Sequence, residues 1–365
     1  MTSRLRCYLA AAVVLTAACA TTHNQSEQVP PQQIAMGGSV ILATPDPALG
    51  LATYDDASVF QAAAEAERTG DHAKAHELYG RLLHEMPASD LIDAARFNDG
   101  LVYEHEQAWG EAAAAYAPII AAPRPVDEEH RRTWLDAHYR RAACLSKVQA
   151  WPDVARIFDV VIALADLSER DRIEALVGRG IAAKNLGDIA AAELMFGQVM
   201  HAVRVSDRTT SDELRDFAAE AAFQWAEIAR DRFNEIKLAF PNDVLARLLD
   251  AKCQALLTAQ TRYIRAVQFG DEHTLAAAGT RIGGLYTSLY DELVGLEVPP
   301  DLTDEERKIY RNEVKRRVRV LAEKAIAIYE RTVLVGKRVD TAESWVHESE
   351  AALERLRAAY LDDDG

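Results

Sequence analysis

The sequence predicts an all-α protein in which antiparallel helix pairs stack into a solenoid and a bundle of longer helices follows. Three observations lead there. Of 365 residues, 49% are hydrophobic and only 12 are proline and 18 glycine; Ala, Leu, Glu and Arg recur throughout, a composition that favours packed helices over disorder. No run of alternating Val, Ile, Thr or aromatic residues frames a hairpin turn, so strands are not expected. A pattern of small residues, aromatics and tight turns recurs at intervals of roughly 40 residues, which marks a repeat architecture.

A chain of this length buries a common core without metal or disulfide staples. The formal charge is −16; removing Arg4 and Arg6 with a cleaved leader leaves 39 basic residues against 57 acidic, or −18. Such a surface repels nucleic acid. The one basic run, Lys315-Arg316-Arg317-Val318-Arg319, is surrounded by Asp304, Glu305, Glu306, Glu313 and Glu323, and it reads as a solvated helix face.

Residues 1–18 have the form of a secretion signal: basic Arg4 and Arg6, then an apolar stretch from Cys7 to Ala18. The stretch is too short for a permanent span. Thr16-Ala17-Ala18-Cys19 resembles the bacterial lipobox, which implies lipidation of Cys19 and a membrane anchor. The resemblance departs at Thr16, where that family has Leu. Ala18-Cys19-Ala20 also fits a cut that would release a soluble periplasmic protein. Under the lipoprotein reading, Ala20 after the cysteine implies sorting to the outer membrane, facing the periplasm. Residues 19–54, with Pro30-Pro31, Gly37-Gly38 and Pro45-Asp46-Pro47, carry no helical period and read as a flexible tether.

Residues 55–204 hold four repeats. The first runs Gly70-Asp71-His72-Ala73-Lys74-Ala75-His76-Glu77-Leu78-Tyr79 and closes at Pro87. In the second, Gly100, Tyr103, Ala112, Tyr116 and Ile119 fall at the same offsets, with Gln107-Ala108-Trp109 in place of the Gly-Asp turn. The third carries Ala142, Trp151, Val154, Phe158 and Val161; the fourth carries Gly180, Gly187-Asp188, Ala192, Phe196 and Val199. Small residues belong where helix backbones approach closely, and the late aromatics fill the gap to the next unit.

Residues 205–365 remain helical with longer elements, read as a C-terminal domain of degenerate pairs. Asp243 to Phe269 and Asp271 to Val294 read as one such pair around a Gly270-Asp271 turn. Val298-Pro299-Pro300 breaks the chain. Thr303-Asp304-Glu305-Glu306 is a capping box that opens a helix to about Lys337. Its predicted seam is Val314, Val318, Leu321, Ala325, Ile328, Thr332 and Val335. A last helix from Thr341 to Tyr360 carries Trp345, Val346, Leu353 and Leu356 inward.

These offsets resemble the tetratricopeptide-repeat (TPR) superfamily over residues 56–204. The resemblance implies a right-handed α-solenoid whose concave groove holds peptides or protein domains. The first-helix positions that face the ligand in that family fall here on Phe60, Glu67 and Arg68; Phe97, Glu104 and His105; Asp136, Tyr139 and Lys147; and Glu174, Lys184 and Asn185. Where chaperone-binding members carry Lys and Asn for a carboxylate clamp, this sequence has Phe60 and Ala64, so chaperone tails are not the expected ligand. A TPR array behind a lipobox looks like the envelope lipoproteins of barrel assembly, cell division, secretion and gliding motility. The stretch Arg262 to Tyr286, with the long helix to Tyr329 and Trp345, looks most like the C-terminal half of the motility group.

Residues for chemistry are few. Cys144 and Cys253 lie far apart in apolar helical segments and read as buried thiols. His72 and His76 sit one turn apart without an HExxH frame, and His130 and His138 are separated by Arg131 and Arg132, so no metal centre is expected. No phosphate loop, nucleophile elbow or dinucleotide turn is present, and Glu128-Glu129 reads as an acidic loop. The expected function is a non-catalytic envelope scaffold with protein or peptide partners and a lipid anchor. No cofactor, nucleic acid or small-molecule substrate is expected. A soluble periplasmic binding or chaperone-like protein and an accessory subunit of an envelope enzyme stand as rivals.

Overall fold

The structure is a computed structural model that describes residues 55–205, 214–270, 272–298, 302–338 and 343–361. The expected signal segment, Cys19 and the tether lie outside the described residues, as do Asp271, Pro299, Pro300 and Thr341. Among those described are thirteen helices and no strand. None of the helices is long and apolar enough to cross a membrane.

The first eight helices form four pairs: α1 (Asp56–Arg68) with α2 (His72–Glu85), α3 (Ile92–His105) with α4 (Trp109–Ala121), α5 (Glu128–Lys147) with α6 (Trp151–Ile162), and α7 (Glu169–Asn185) with α8 (Ile189–Val205). The four turns inside these pairs are built alike. Gly70 and Gly187 take φ of +79° and +81°, and Gln107 and Gln149 both take +59°. In each, the following N–H reaches back five residues to close the first helix. Asp71 bonds Ala66 at 2.8 Å, while Ala108 to Tyr103, Ala150 to Leu145 and Asp188 to Ala183 are each 2.9 Å. A left-handed residue just past a helix end satisfies its last carbonyls in this way. Glutamine thus does the work of glycine in the second and third turns.

Packing within a pair depends on a small residue under an aromatic ring sixteen positions later. A Cβ on Gly100 would stand 2.6 Å from the Tyr116 ring, and one on Gly180 would stand 2.6 Å from Phe196. Ala63 and Ala142 stand at the same interval before Tyr79 and Phe158 and are fully buried in the apolar clusters that hold those rings. The rings of Tyr79, Tyr116 and Phe196 are themselves removed from solvent, each burial contributing roughly 1.5–3 kcal/mol. Apolar clusters bridge successive units: one joins α5, α6 and α7, and another joins α7, α8 and the helix after it.

Five helices follow: α9 (Arg215–Glu235), α10 (Asn242–Phe269), α11 (Glu272–Val294), α12 (Asp304–Gly336) and α13 (Glu343–Leu361). The expected pairing of 243–269 with 271–294 is corrected here: α10 packs chiefly on α9, and α11 on α12. Two side-chain codes explain the difference. Phe223-x-x-Ala226 on α9 repeats the spacing of Phe97-x-x-Gly100, and Tyr263 of α10 meets Phe223 edge-on at 5.4 Å. Gly283 of α11 lies under Tyr329 of α12, where a Cβ would come within 2.5 Å of the ring. Gly270 is extended, with φ −83° and ψ −179°, so it joins two units and lacks the geometry of a turn inside one. Thus α9–α10 and α11–α12 are fifth and sixth pairs with lengthened helices.

The capping box at Thr303 forms as expected, and α12 ends at Gly336. Its 33 residues span about 50 Å at 1.5 Å each. The buried seam is Ala322, Ala325, Tyr329, Thr332 and Gly336, centred on Tyr329, which the predicted heptad-like stripe had left out. Lys252 of α10 is 1% exposed. Its Nζ donates to Ile236 O at 2.6 Å and pairs with Glu292 at 2.5 Å. It also lies 4.3 Å from the centre of the Phe233 ring. This clamp fastens the α9–α10 connection to α11.

Candidate protein-binding groove

Each odd-numbered helix from α1 to α11 touches the next odd-numbered one, whereas the even-numbered helices make no comparable contact among themselves. The row whose members touch is the inner row of a curved stack. It forms one wall, running from α1 without interruption through α9 and α11.

Aromatic rings punctuate this wall. Phe60 stands edge-on to Tyr79 at 5.9 Å, Phe97 to Tyr116 at 5.5 Å, and Tyr139 is tilted against Phe158 at 6.0 Å. All three are half-buried, so each ring is held by the partner beneath it and keeps one edge on the wall. Glu67 accepts from Tyr79 Oη at 3.1 Å, and Glu104 accepts from Tyr116 Oη at 2.7 Å and from Arg140 at 3.0 Å. Charged groups crowd the middle. Arg132 pairs with Asp136 at 3.0 Å and with Asp171 at 3.5 Å. Tyr139 Oη donates to the Asp171 carbonyl at 2.5 Å, and Arg170 lies 4.0 Å from Glu174.

Burial dominates the electrostatics. It pushes the carboxyl groups of Glu67, Asp136 and Glu174 above their ordinary range. It also pushes the Lys184 ammonium below its ordinary value, and that group donates to Gln224 of α9. A trough that withdraws charge from water in this way strengthens any complementary charge a ligand brings.

The twelve groove positions read from the sequence separate into two sets. Phe60, Glu67, Phe97, Glu104, Asp136, Tyr139, Glu174 and Lys184 lie along the wall with the partners just described. Arg68, His105, Lys147 and Asn185 are the last residues of α1, α3, α5 and α7 and stand exposed at its edge. Arg68 is held by Glu65 at 2.8 Å, and Asn185 donates to Ile181 O at 2.8 Å. Lys147 lies 5.7 Å from the Trp109 ring centre, and the His105 ring 6.1 Å from that of His72.

No protein-family model matches the chain, and no curated protein does. Among solved structures it is similar to a tetratricopeptide repeat protein of Parabacteroides merdae, with 13% identity, 81% of this chain and 98% of that chain covered, and a TM-score of 0.38. It is also similar to a TPR repeats protein of Bacteroides fragilis, with 12% identity, the same shares covered and a TM-score of 0.28. What decides the fold is internal: four turns of one geometry and a small residue sixteen places before an aromatic in each of the first four pairs. The fold is a TPR-type solenoid.

The TPR wall continues past the four repeats into α9, where Glu220, Phe223, Gln224, Glu227 and Asp231 occupy the corresponding faces. The aromatic-x-x-small spacing of Phe223 and Ala226 is the signal that would have found them. Arg132 and Asp171 were missed for another reason. Asp127 and Ser168 cap α5 and α7 early, so these helices run to 20 and 17 residues against 13 and 14 for α1 and α3 and add charged residues to the wall. His72 and His76 belong to a tie between repeats: His76 lies 2.5 Å from Asp99 and 3.3 Å from Glu106, and His72 lies 3.6 Å from Glu106. Among the described residues no group of three or more His, Cys, Asp or Glu is placed to share a metal ion. Cys144 is buried, its thiol pushed up to about 12 by desolvation, and Cys253 is half-buried.

Proposed function

We propose that this chain is a non-catalytic scaffold that holds protein partners along the inner wall of its solenoid. The observation that supports the reading is that wall: successive helices present half-buried rings and desolvated charges in one trough, a surface suited to an extended polypeptide. Glu174→Lys combined with Lys184→Glu should abolish crosslinking to partners in intact cells while the circular-dichroism spectrum stays helical. Undiminished crosslinking would move the binding surface elsewhere.

The N-terminal address gives the scaffold a place. Lipidation at Cys19 would anchor it in the outer membrane facing the periplasm, and the 19–54 tether would let the solenoid reach partners of a motility, secretion or barrel-assembly complex. Labelled palmitate should enter the wild-type chain and be absent from Cys19→Ser. Equal labelling of both would remove the anchor. The Ala18-Cys19-Ala20 pattern supports a second reading, a soluble periplasmic binding protein, which predicts a mature chain beginning at Thr21 and no label in either form.

A further inference from the structure

One position of the repeat is treated differently on the outer side of the solenoid. Asp99, Arg141, Arg179 and Trp225 occupy equivalent places, each two residues past the wall-side position of Phe97, Tyr139, Val177 or Phe223. Three of them are tied to the preceding outer helix. His76 of α2 meets Asp99 at 2.5 Å, Asp159 of α6 accepts from Arg179 at 2.6 Å, and Glu193 of α8 accepts from Trp225 at 3.0 Å. His76 and Glu193 stand three residues before their helix's aromatic, and Asp159 one after. Around Tyr116 of α4 those places hold Ala113 and Ala117. Arg141 therefore finds no carboxylate, and its Nε is buried without a hydrogen-bond partner. The other half-buried arginines among the described residues all have an ion pair or a carbonyl acceptor. In a chain with 57 acidic residues against 41 basic, that orphan is not a matter of scarce acids.

A cleft of about 430 Å³ lies beside Arg141, open to solvent and floored between α4 and α6 by Ile120, Ile157 and Val160. Its other charges cancel, because Asp153 and Arg156 pair with each other. His138, also in the lining, is 3% exposed and donates from Nδ1 to the Trp134 carbonyl at 2.8 Å. Burial and the nearby Arg141 push its pKa down, keeping the ring neutral. One turn further, Trp134 is 6% exposed, its indole N–H also unpartnered, beside a recess of about 80 Å³. Trp134, His138 and Arg141 share one face of α5. Trp134 and Arg141 each bring a buried donor without a partner, while the His138 Nδ1–H is already used and Asp90, Asp93 and Glu129 line the recess beside Trp134.

We propose that this outer cleft is a second binding site, which takes an acidic side chain flanked by apolar ones on an extended segment of a partner protein. The carboxylate would pair with Arg141, the apolar neighbours would cover Ile157 and Val160, and a segment carbonyl would reach Trp134. The separation along α5, about 10 Å for seven residues, matches roughly three residues of extended chain. The open side argues for a polypeptide over a free small molecule, which needs enclosure on most of its surface.

The test uses the full chain and the blocked peptide acetyl-Gly-Leu-Asp-Leu-Gly-amide, with its Asn counterpart as control, followed by ligand-detected NMR. The Asp peptide should bind at least tenfold more tightly than the Asn peptide. Arg141→Met should remove that preference. So should Ala117→Asp, which supplies the missing carboxylate from within, and both variants should melt higher than the wild type because each relieves an unpaired charge. Glu174→Lys on the inner wall should leave the binding unchanged, which separates this site from the groove. Equal binding of the two peptides by the wild type, an Asp-over-Asn preference that persists in Ala117→Asp or Arg141→Met, or free hexanoate competing as well as the peptide would each overturn the proposal.

Discussion

Replacing Gly180 by alanine and replacing Gly197 by alanine are the same chemical change on facing helices of one pair, and they should act in opposite directions. A Cβ at Gly197 meets nothing within 4 Å. That variant keeps the full gain of alanine over glycine in a helix, about 0.5–1 kcal/mol. A Cβ at Gly180 would lie 2.6 Å from Phe196 Cε1 and 3.0 Å from Cδ1 and Cζ. Phe196 is fully buried, so the ring cannot swing into solvent. Overpacking costs about 1–3 kcal/mol, which offsets the propensity gain and leaves a net loss of up to about 2.5 kcal/mol. The two variants should thus differ by about 1–3 kcal/mol in urea unfolding followed by far-ultraviolet circular dichroism. Equal stabilisation by both would show that the ring does not rest on Gly180, and the small-under-aromatic account of pairing would fail with it.

Gln107→Gly and Gln149→Gly should each raise the thermal midpoint, because a side chain at φ +59° costs on the order of 1 kcal/mol that glycine avoids; calorimetry showing a fall in either would contradict the common turn. Lys252→Met should lose about 1–3 kcal/mol by leaving Glu292 with only the Leu238 N–H, 2.6 Å away. Lys252→Met with Glu292→Leu should recover only the part due to the unpaired carboxylate, because Ile236 O and Leu238 N–H then lose their side-chain partners, and hydrogen exchange over residues 236–241 would report both effects. Burial raises the folded pKa of Glu67, Asp99, Asp136, Glu174 and Asp231 above 4.5 for Glu and 3.8 for Asp. Their contribution to stability is therefore full below those ordinary values and is lost as pH rises through the raised ones. Asp136→Asn with Glu174→Gln should accordingly gain stability relative to wild type at neutral pH and lose that advantage on acidification; a constant difference from about pH 4 to 7 would refute the assignment.

The sequence alone determined whatever depends on chemistry local to one helix or turn. Gly70-Asp71 and Gly187-Asp188 announce their turns because glycine enters the left-handed region freely, and Thr303 with Glu306 announces the start of α12 because both partners of a capping box lie within four residues. The small residues and aromatics of the first four units were legible for the same reason: a fixed interval of sixteen residues links them. In the fifth and sixth pairs the ring follows its small residue by 37 and 46 positions, as with Ala226 and Tyr263 or Gly283 and Tyr329, and no fixed period remains to read. Tertiary structure decided those pairings, since helices of changed length choose partners by which ring fits over which backbone. It also decided which charges are satisfied. Arg141 and Arg179 look alike in sequence, but only the second meets an aspartate across the gap between helices, and that depends on what stands roughly twenty residues earlier on a neighbouring helix.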